Sequence, residues 1–131
     1  MESRRWRVLF IDDEPAIVRS VRTLMSHHDV VTATSGEAAL ELLRGDAAFD
    51  AVVCDLLMPD VSGMDLYQQV SVEQPGLERR FVFVTGGAFM ERARAFLGRI
   101  DNVQIDKPFT IAALEAAIAL TIERARGQAR Q

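Results

Sequence analysis

Val8-Leu9-Phe10-Ile11-Asp12-Asp13-Glu14-Pro15 decides the fold: four apolar residues in a row, an abrupt acidic run, then proline. A half-solvated strand would alternate apolar with polar, so an unbroken apolar run of this length reads as a strand covered on both faces. Pro15 suits the first turn of a helix, where its missing amide costs nothing. Ile17/Val18, Val21 and Leu24/Met25 then recur at helical spacing. The stretch is strand, acidic loop, helix.

The same pattern repeats outward from it. Asp29 to Ala33 reads as a second strand, β-branched at Val30, Val31 and Thr32, and Ala38 to Leu43 as a short helix stopped by Gly45. Ala51 to Cys54 is a third strand ending at Asp55; a loop, Met58 to Gly63, leads into a helix from Met64 to about Val72. Pro75-Gly76 breaks the chain before a fourth strand, Phe81 to Val84, which ends at Thr85-Gly86-Gly87. Phe89 to Leu97 is helical with Gly98 as its cap, and Asn102 to Ile105 is a brief fifth strand ending at Asp106-Lys107-Pro108. Thr110 caps a last helix carrying Ile111, Leu114, Ile118 and Ile122. The expected fold is α/β: a doubly wound, five-stranded parallel sheet with helices on both faces. One domain is expected over residues 6–124, with a frayed tail at 125–131.

Composition limits the function classes. At 131 residues, 49% hydrophobic and 26% charged, the chain is one ordinary globular domain rather than a disordered or disulfide-stapled one. Its single cysteine, Cys54, allows no intrachain disulfide and reads as a small buried apolar group. The longest uncharged stretch, Phe81 to Met90, is far short of the roughly 18 residues of a membrane span, and the N-terminus has no signal-peptide core. A net charge of −4 argues against direct nucleic-acid binding and against attraction to an anionic membrane. A cytoplasmic setting is expected. His27-His28, at the predicted end of the first helix, suits the helix dipole, and Arg4, Arg5 and Arg7 read as a solvated cluster. Alanines from Ala112 to Ala119 could form a close-packing dimer face but read first as ordinary core packing.

In parallel sheets function gathers at the carboxyl ends of the strands. Here those ends carry Asp12, Asp13, Asp55, Thr85 and Lys107. Taken singly, an acid at a strand end is usually a cap or turn residue. Together, three carboxylates converging on one place repel each other unless a cation joins them. With no histidine or cysteine in the set, a hard ion such as Mg²⁺ or Mn²⁺ suits it better than zinc. Lys107, the sole lysine among 15 cationic residues, adds a compact charge that could meet phosphoryl oxygens.

Ile11-Asp12-Asp13-Glu14-Pro15, Asp55-Leu56-Leu57-Met58-Pro59 with Gly63, Thr85-Gly86 and Lys107-Pro108-Phe109 resemble, in order and spacing, the receiver domain of two-component response regulators. The resemblance implies the flavodoxin-like strand order 2-1-3-4-5. It implies Asp55 as phosphoacceptor from a sensor histidine kinase or phosphotransfer protein, with Asp12, Asp13, Asp55 and the Leu57 backbone carbonyl holding Mg²⁺ or Mn²⁺. It implies that Lys107 and Thr85 meet the phosphoryl oxygens, and that Pro108 follows a cis peptide. Output is expected through a protein target on the face of the fourth helix, fifth strand and fifth helix, through a phosphorelay step, or through a reversible homodimer, the receiver being expected to stand alone or to belong to a larger chain such as a hybrid histidine kinase.

The sequence also departs from that family. Gln104 stands where receivers usually carry an aromatic that moves with the threonine, which shifts the expected coupling to Gly86 and the helix bearing Phe89, Met90 and Phe96. Leu57 and Gly87 flank the phosphoryl position and offer no side chain to orient water. Gly63 is expected to let the loop after Asp55 bend. Two other readings compete: a phosphorylation-independent interaction module, for which Gln104 speaks, and a Mg²⁺-dependent aspartyl-phosphate phosphohydrolase. Against the hydrolase, Asp12-Asp13 is not the Asp-x-Asp of the haloacid dehalogenase type, and no cap is inserted.

Overall fold

The computed structural model describes residues 4–86 and 91–129. Its elements are β1 (Arg7–Ile11), α1 (Pro15–Leu24), β2 (Asp29–Ala33), α2 (Gly36–Gly45), β3 (Ala51–Asp55), α3 (Gly63–Glu73), a 3-10 turn (Leu77–Arg80), β4 (Phe81–Thr85), α4 (Glu91–Leu97), β5 (Gln104–Asp106) and α5 (Ile111–Ala129). The five strands are all parallel, in the order β2-β1-β3-β4-β5. Sequence order reverses direction at β1, where β2 lies on one side and β3 on the other. The carboxyl ends of β1 and β3, with Asp12 and Asp55, therefore flank the switch point of the sheet.

The apolar runs divide between two cores by strand alternation. Leu9, Ile11, Val52, Cys54, Phe81 and Phe83 face Ala39, Leu43, Leu66, Val70, Ala93 and Phe96 of α2, α3 and α4. Val8, Phe10, Val53, Val82 and Val84 face Val18 and Val21 of α1 and Leu114, Ile118 and Ile122 of α5. Each fully buried side chain of this size contributes about 1.5–3 kcal/mol. Tyr67 and Phe96 meet edge to face at 5.3 Å, and Phe96 meets Phe83 at 5.4 Å, so aromatic packing ties α3 and α4 to β4.

Several boundaries differ from the sequence reading for local reasons. The first turn of α2 starts at Gly36, because Ser35 caps it by accepting the Ala38 amide at 3.1 Å. Asn102 and Val103 are not strand: the Asn102 amide donates to the carbonyls of Glu78 and Phe81, bracketing the turn before β4. Helix α5 continues to Ala129, past the predicted start of a frayed tail, and Ala125 is buried. Arg7 is not part of a solvated cluster: it lies in β1, pairs with Asp46 and Asp29, and stacks on Phe49 at 4.4 Å. Ala112, Ala116 and Ala119 are exposed, so core packing on α5 falls to Leu114, Ala117 and Ile118. Gly87, Phe89 and Met90 lie outside the described residues.

Candidate functional site

Asp12, Asp13 and Asp55 come together at the switch point, with one carboxylate oxygen from each within 4.8 Å of the others. Asp12 follows β1 and is completely buried; the last residue of β3, Asp55, is nearly so, and Asp13 is exposed at the mouth. Lys107, carried in after β5, places Nζ 3.0 Å from Asp12 Oδ2 and 3.0 Å from Asp55 Oδ2. Its peptide bond to Pro108 is cis. Glu14 completes the rim 3.5 Å from the same ammonium, and its amide donates to Asp12 Oδ1 at 2.9 Å.

One lysine shared by two buried carboxylates leaves the site under-neutralised. Burial pushes Asp55 above the usual carboxylate range, and the hydrogen bond and charge of Lys107 and the Leu57 amide pull it back only in part. For Lys107 burial acts downward, but two acidic partners override it and hold the ammonium above its ordinary value. The asymmetry is electrostatic: the lysine gains from two anions, while Asp55 gains from one cation and is repelled by Asp12. Asp12 Oδ2 is fully enclosed and, among the described residues, accepts no well-directed hydrogen bond and meets only the charge of Lys107. An enclosed oxygen of this kind, beside two further carboxylates and no nitrogen or sulfur donor, fits a small hard divalent cation.

The other predicted residues are placed less uniformly. Leu57 touches Asp55 through its amide, which donates to Asp55 Oδ1 at 3.3 Å, and its side chain is partly exposed above the site. Thr85 is buried, but its hydroxyl donates to Asp106 Oδ1 at 2.8 Å and not to Asp55. Gly63 serves close approach rather than bending. A Cβ there would stand 2.5 Å from the Asp55 carbonyl oxygen and 3.0 Å from Leu56 Cα, and Gly63 is not in a left-handed conformation. The loop's left-handed residue is Asp60, with φ of 64°. Cys54 is buried, and burial pushes its thiol up, which makes it inert.

The sequence profile of the response regulator receiver domain matches residues 8–119. The chain belongs to this family. The probable transcriptional regulatory protein TcrX of Mycobacterium tuberculosis is 31% identical over 106 residues, which is 79% of this chain and 44% of TcrX. The probable transcriptional regulator ycf27 of Porphyra purpurea is 30% identical over 128 residues, 95% of this chain and 51% of ycf27. This receiver thus spans about half the length of the curated relatives it matches. Among solved structures, a response regulator receiver domain protein of Clostridium thermocellum aligns with a TM-score of 0.81 at 27% identity, over 92% of this chain and 97% of its own. A CheY-like receiver domain protein of Methanospirillum hungatei aligns with a TM-score of 0.82 at 23% identity, over 95% and 99%.

Two residues of the receiver escaped the sequence reading. Glu14 was visible beside the aspartates but carries no mark of reaching Lys107 across the sheet. Asp106 becomes a partner of Thr85 only through the β4–β5 register, which pairs the two residues directly. His27 and His28 lie beyond the end of α1, not in its last turn, so the helix dipole does not account for them. Both approach Glu115 on α5. His28 Nδ1 accepts the Trp6 amide at 2.9 Å, so the neutral ring carries its proton on Nε2, the nitrogen facing Glu115. The three groups lie close enough to hold a metal ion, but one at that nitrogen would have to displace the proton. Among the described residues no helix is long and apolar enough to cross a membrane.

Proposed function

We propose that this receiver is a phosphoacceptor switch in which Asp55 takes a phosphoryl group from a histidine kinase or phosphotransfer protein. The observation that carries the reading is the convergence of Asp12, Asp13 and Asp55 on Lys107 at the sheet's switch point. An Asp55 carboxylate oxygen attacks phosphorus, the phosphorus–nitrogen bond of the donor phosphohistidine breaks, and the imidazole leaves with that electron pair. Burial makes Asp55 more basic than an ordinary carboxylate, hence a better nucleophile, and the Lys107 charge keeps its ionised form accessible. Phosphoryl transfer needs positioning and charge neutralisation above all. Asp12, Asp13, Asp55 and the Leu57 carbonyl would hold Mg²⁺ or Mn²⁺, which when bound neutralises phosphoryl oxygens alongside Lys107. Thr85 accepts its role only by leaving Asp106. The chain acts on no external substrate; its output is a protein contact through the face of α4, β5 and α5, a relay step or homodimerisation, in a cytoplasmic pathway.

The test is the intact mass of wild type and Asp55→Asn after incubation with acetyl phosphate and Mg²⁺. A gain of one phosphoryl group, lost with chelator and absent in Asp55→Asn, is the expected result. The second reading, a module that signals unphosphorylated, draws on the exposed Gln104 at the place of the usual aromatic. A wild type that gains no mass from acetyl phosphate or from any kinase, while folded, would favour it.

A further inference from the structure

We infer that Asp106 is a positioning residue: its carboxylate holds the Thr85 hydroxyl away from the phosphoacceptor, so that phosphorylation must win the threonine from a resident anion. The inference rests on the phosphoacceptor reading and adds to it a competitor built into the chain. Thr85 is the buried last residue of β4, and Asp106 is its register partner on β5. Paired residues of neighbouring parallel strands project to the same face of a sheet. Thr85 continues the alternation of Phe83 toward α4, whereas Asp55 continues that of Val53 toward α1 and α5. Strand alternation places the Thr85 side chain on the opposite side of the sheet from Asp55, and the 2.8 Å bond to Asp106 Oδ1 holds its hydroxyl there.

A hydroxyl has one proton to donate. While it is committed to Asp106, Thr85 can give nothing to a phosphoryl oxygen, and hydrogen bonds to ionised acceptors are stronger than neutral ones. The backbone reinforces the arrangement, because the Lys107 amide donates to the Thr85 carbonyl at 2.8 Å and fixes Asp106 alongside. With the exposed Gln104 unable to hold the threonine by aromatic packing, Asp106 supplies the restraint on this strand pair.

The experiment is a double-mutant cycle on the full chain, with beryllofluoride and Mg²⁺ as the phosphoryl mimic and ¹⁹F NMR reading the half-saturating concentration. Asp106→Ala should bind about fivefold more tightly than wild type, since the competing acceptor is gone. Asp106→Asn, which keeps a neutral acceptor, should fall between. In the Thr85→Val background the Asp106→Ala change should shrink to the effect of removing one nearby charge, about twofold or less. An equal gain in both backgrounds overturns the inference, since it would then be charge alone. No gain in a folded Asp106→Ala or Asp106→Asn chain overturns it as well. A wild type that binds no beryllofluoride, with Asp106→Ala equally inert, sinks the phosphoacceptor reading and this inference with it; binding that ignores Asp106 sinks only the inference.

Discussion

At the scale of single residues, the site is a set of charges and close contacts whose signs can be tested one by one. Among the described residues Lys107 is the only charge meeting the enclosed Asp12 Oδ2. Lys107→Met should therefore cost about 2 kcal/mol in chelator by urea unfolding, below the range for a fully buried pair because the ammonium is partly exposed. Asp55→Asn should move the other way. Its carboxyl is held above the usual range by burial, so the ionised form is a net burden on the fold, and the neutral amide should raise the metal-free Tm. Glycines divide by the same kind of reasoning. Gly63→Ala drives a methyl to 2.5 Å from the Asp55 carbonyl, backbone that cannot swing aside, and should cost about 2–3 kcal/mol. Gly45→Ala meets nothing within 4 Å at the end of α2 and should stabilise by about 0.5 kcal/mol. Thermal unfolding of the two variants side by side checks both signs.

Among the elements, β5 shows where sequence and structure part. It has three residues, exposed on Gln104 and Asp106, and owes its place to the single ladder with β4 and to the chain that leads into it. Asn102 makes that approach by donating to two carbonyls, Glu78 and Phe81. Asn102→Ala takes one donor from each, the Glu78 carbonyl keeping the Phe81 amide, and should cost about 1–2 kcal/mol, seen as faster amide exchange in the 3-10 turn and β5 before the rest of the sheet. Strands β1, β3 and β4 were legible because burial on both faces demands an unbroken apolar run, and their ends named Asp12, Asp55 and Thr85 directly. The carbonyl bracket of Asn102, the clash that reserves position 63 for glycine, and the Thr85–Asp106 bond were not legible. The Asn102 and Thr85 contacts join residues 21–24 apart in the chain, and the clash at position 63 depends on how tightly its loop folds back on Asp55; none of these leaves a sequence pattern. The sequence places Thr85 at the site; the register shows its hydroxyl turned to Asp106.

Across the whole molecule, the phosphoacceptor and the histidines occupy opposite poles, which makes their responses to solution conditions separable. The acidic site caps the carboxyl ends of the strands. At the other end His28 stacks on Trp6 at 4.3 Å, accepts the Trp6 amide, and joins His27 in facing Glu115 of α5. That group ties the start of β1 to the last helix. Burial and the neighbouring His27 hold His28 below its ordinary value, Glu115 opposing them. The unfolded chain therefore takes up a proton near pH 6.5 that the folded chain resists, and stability is full above that pH. As pH falls through 6.5 toward the lowered folded value, stability is lost, because a protonated Nδ1 can no longer accept the Trp6 amide. Denaturant midpoints from pH 7.5 to 5 should fall in wild type and flatten in His28→Gln. The decline should be unchanged by Mg²⁺ and retained in Asp55→Asn, since neither touches this pole. Fluorescence of Trp6, the one tryptophan in the chain, gives the local reading of the same event. A decline that vanished in Asp55→Asn but survived His28→Gln would place the acid sensitivity in the phosphoacceptor site and refute this division.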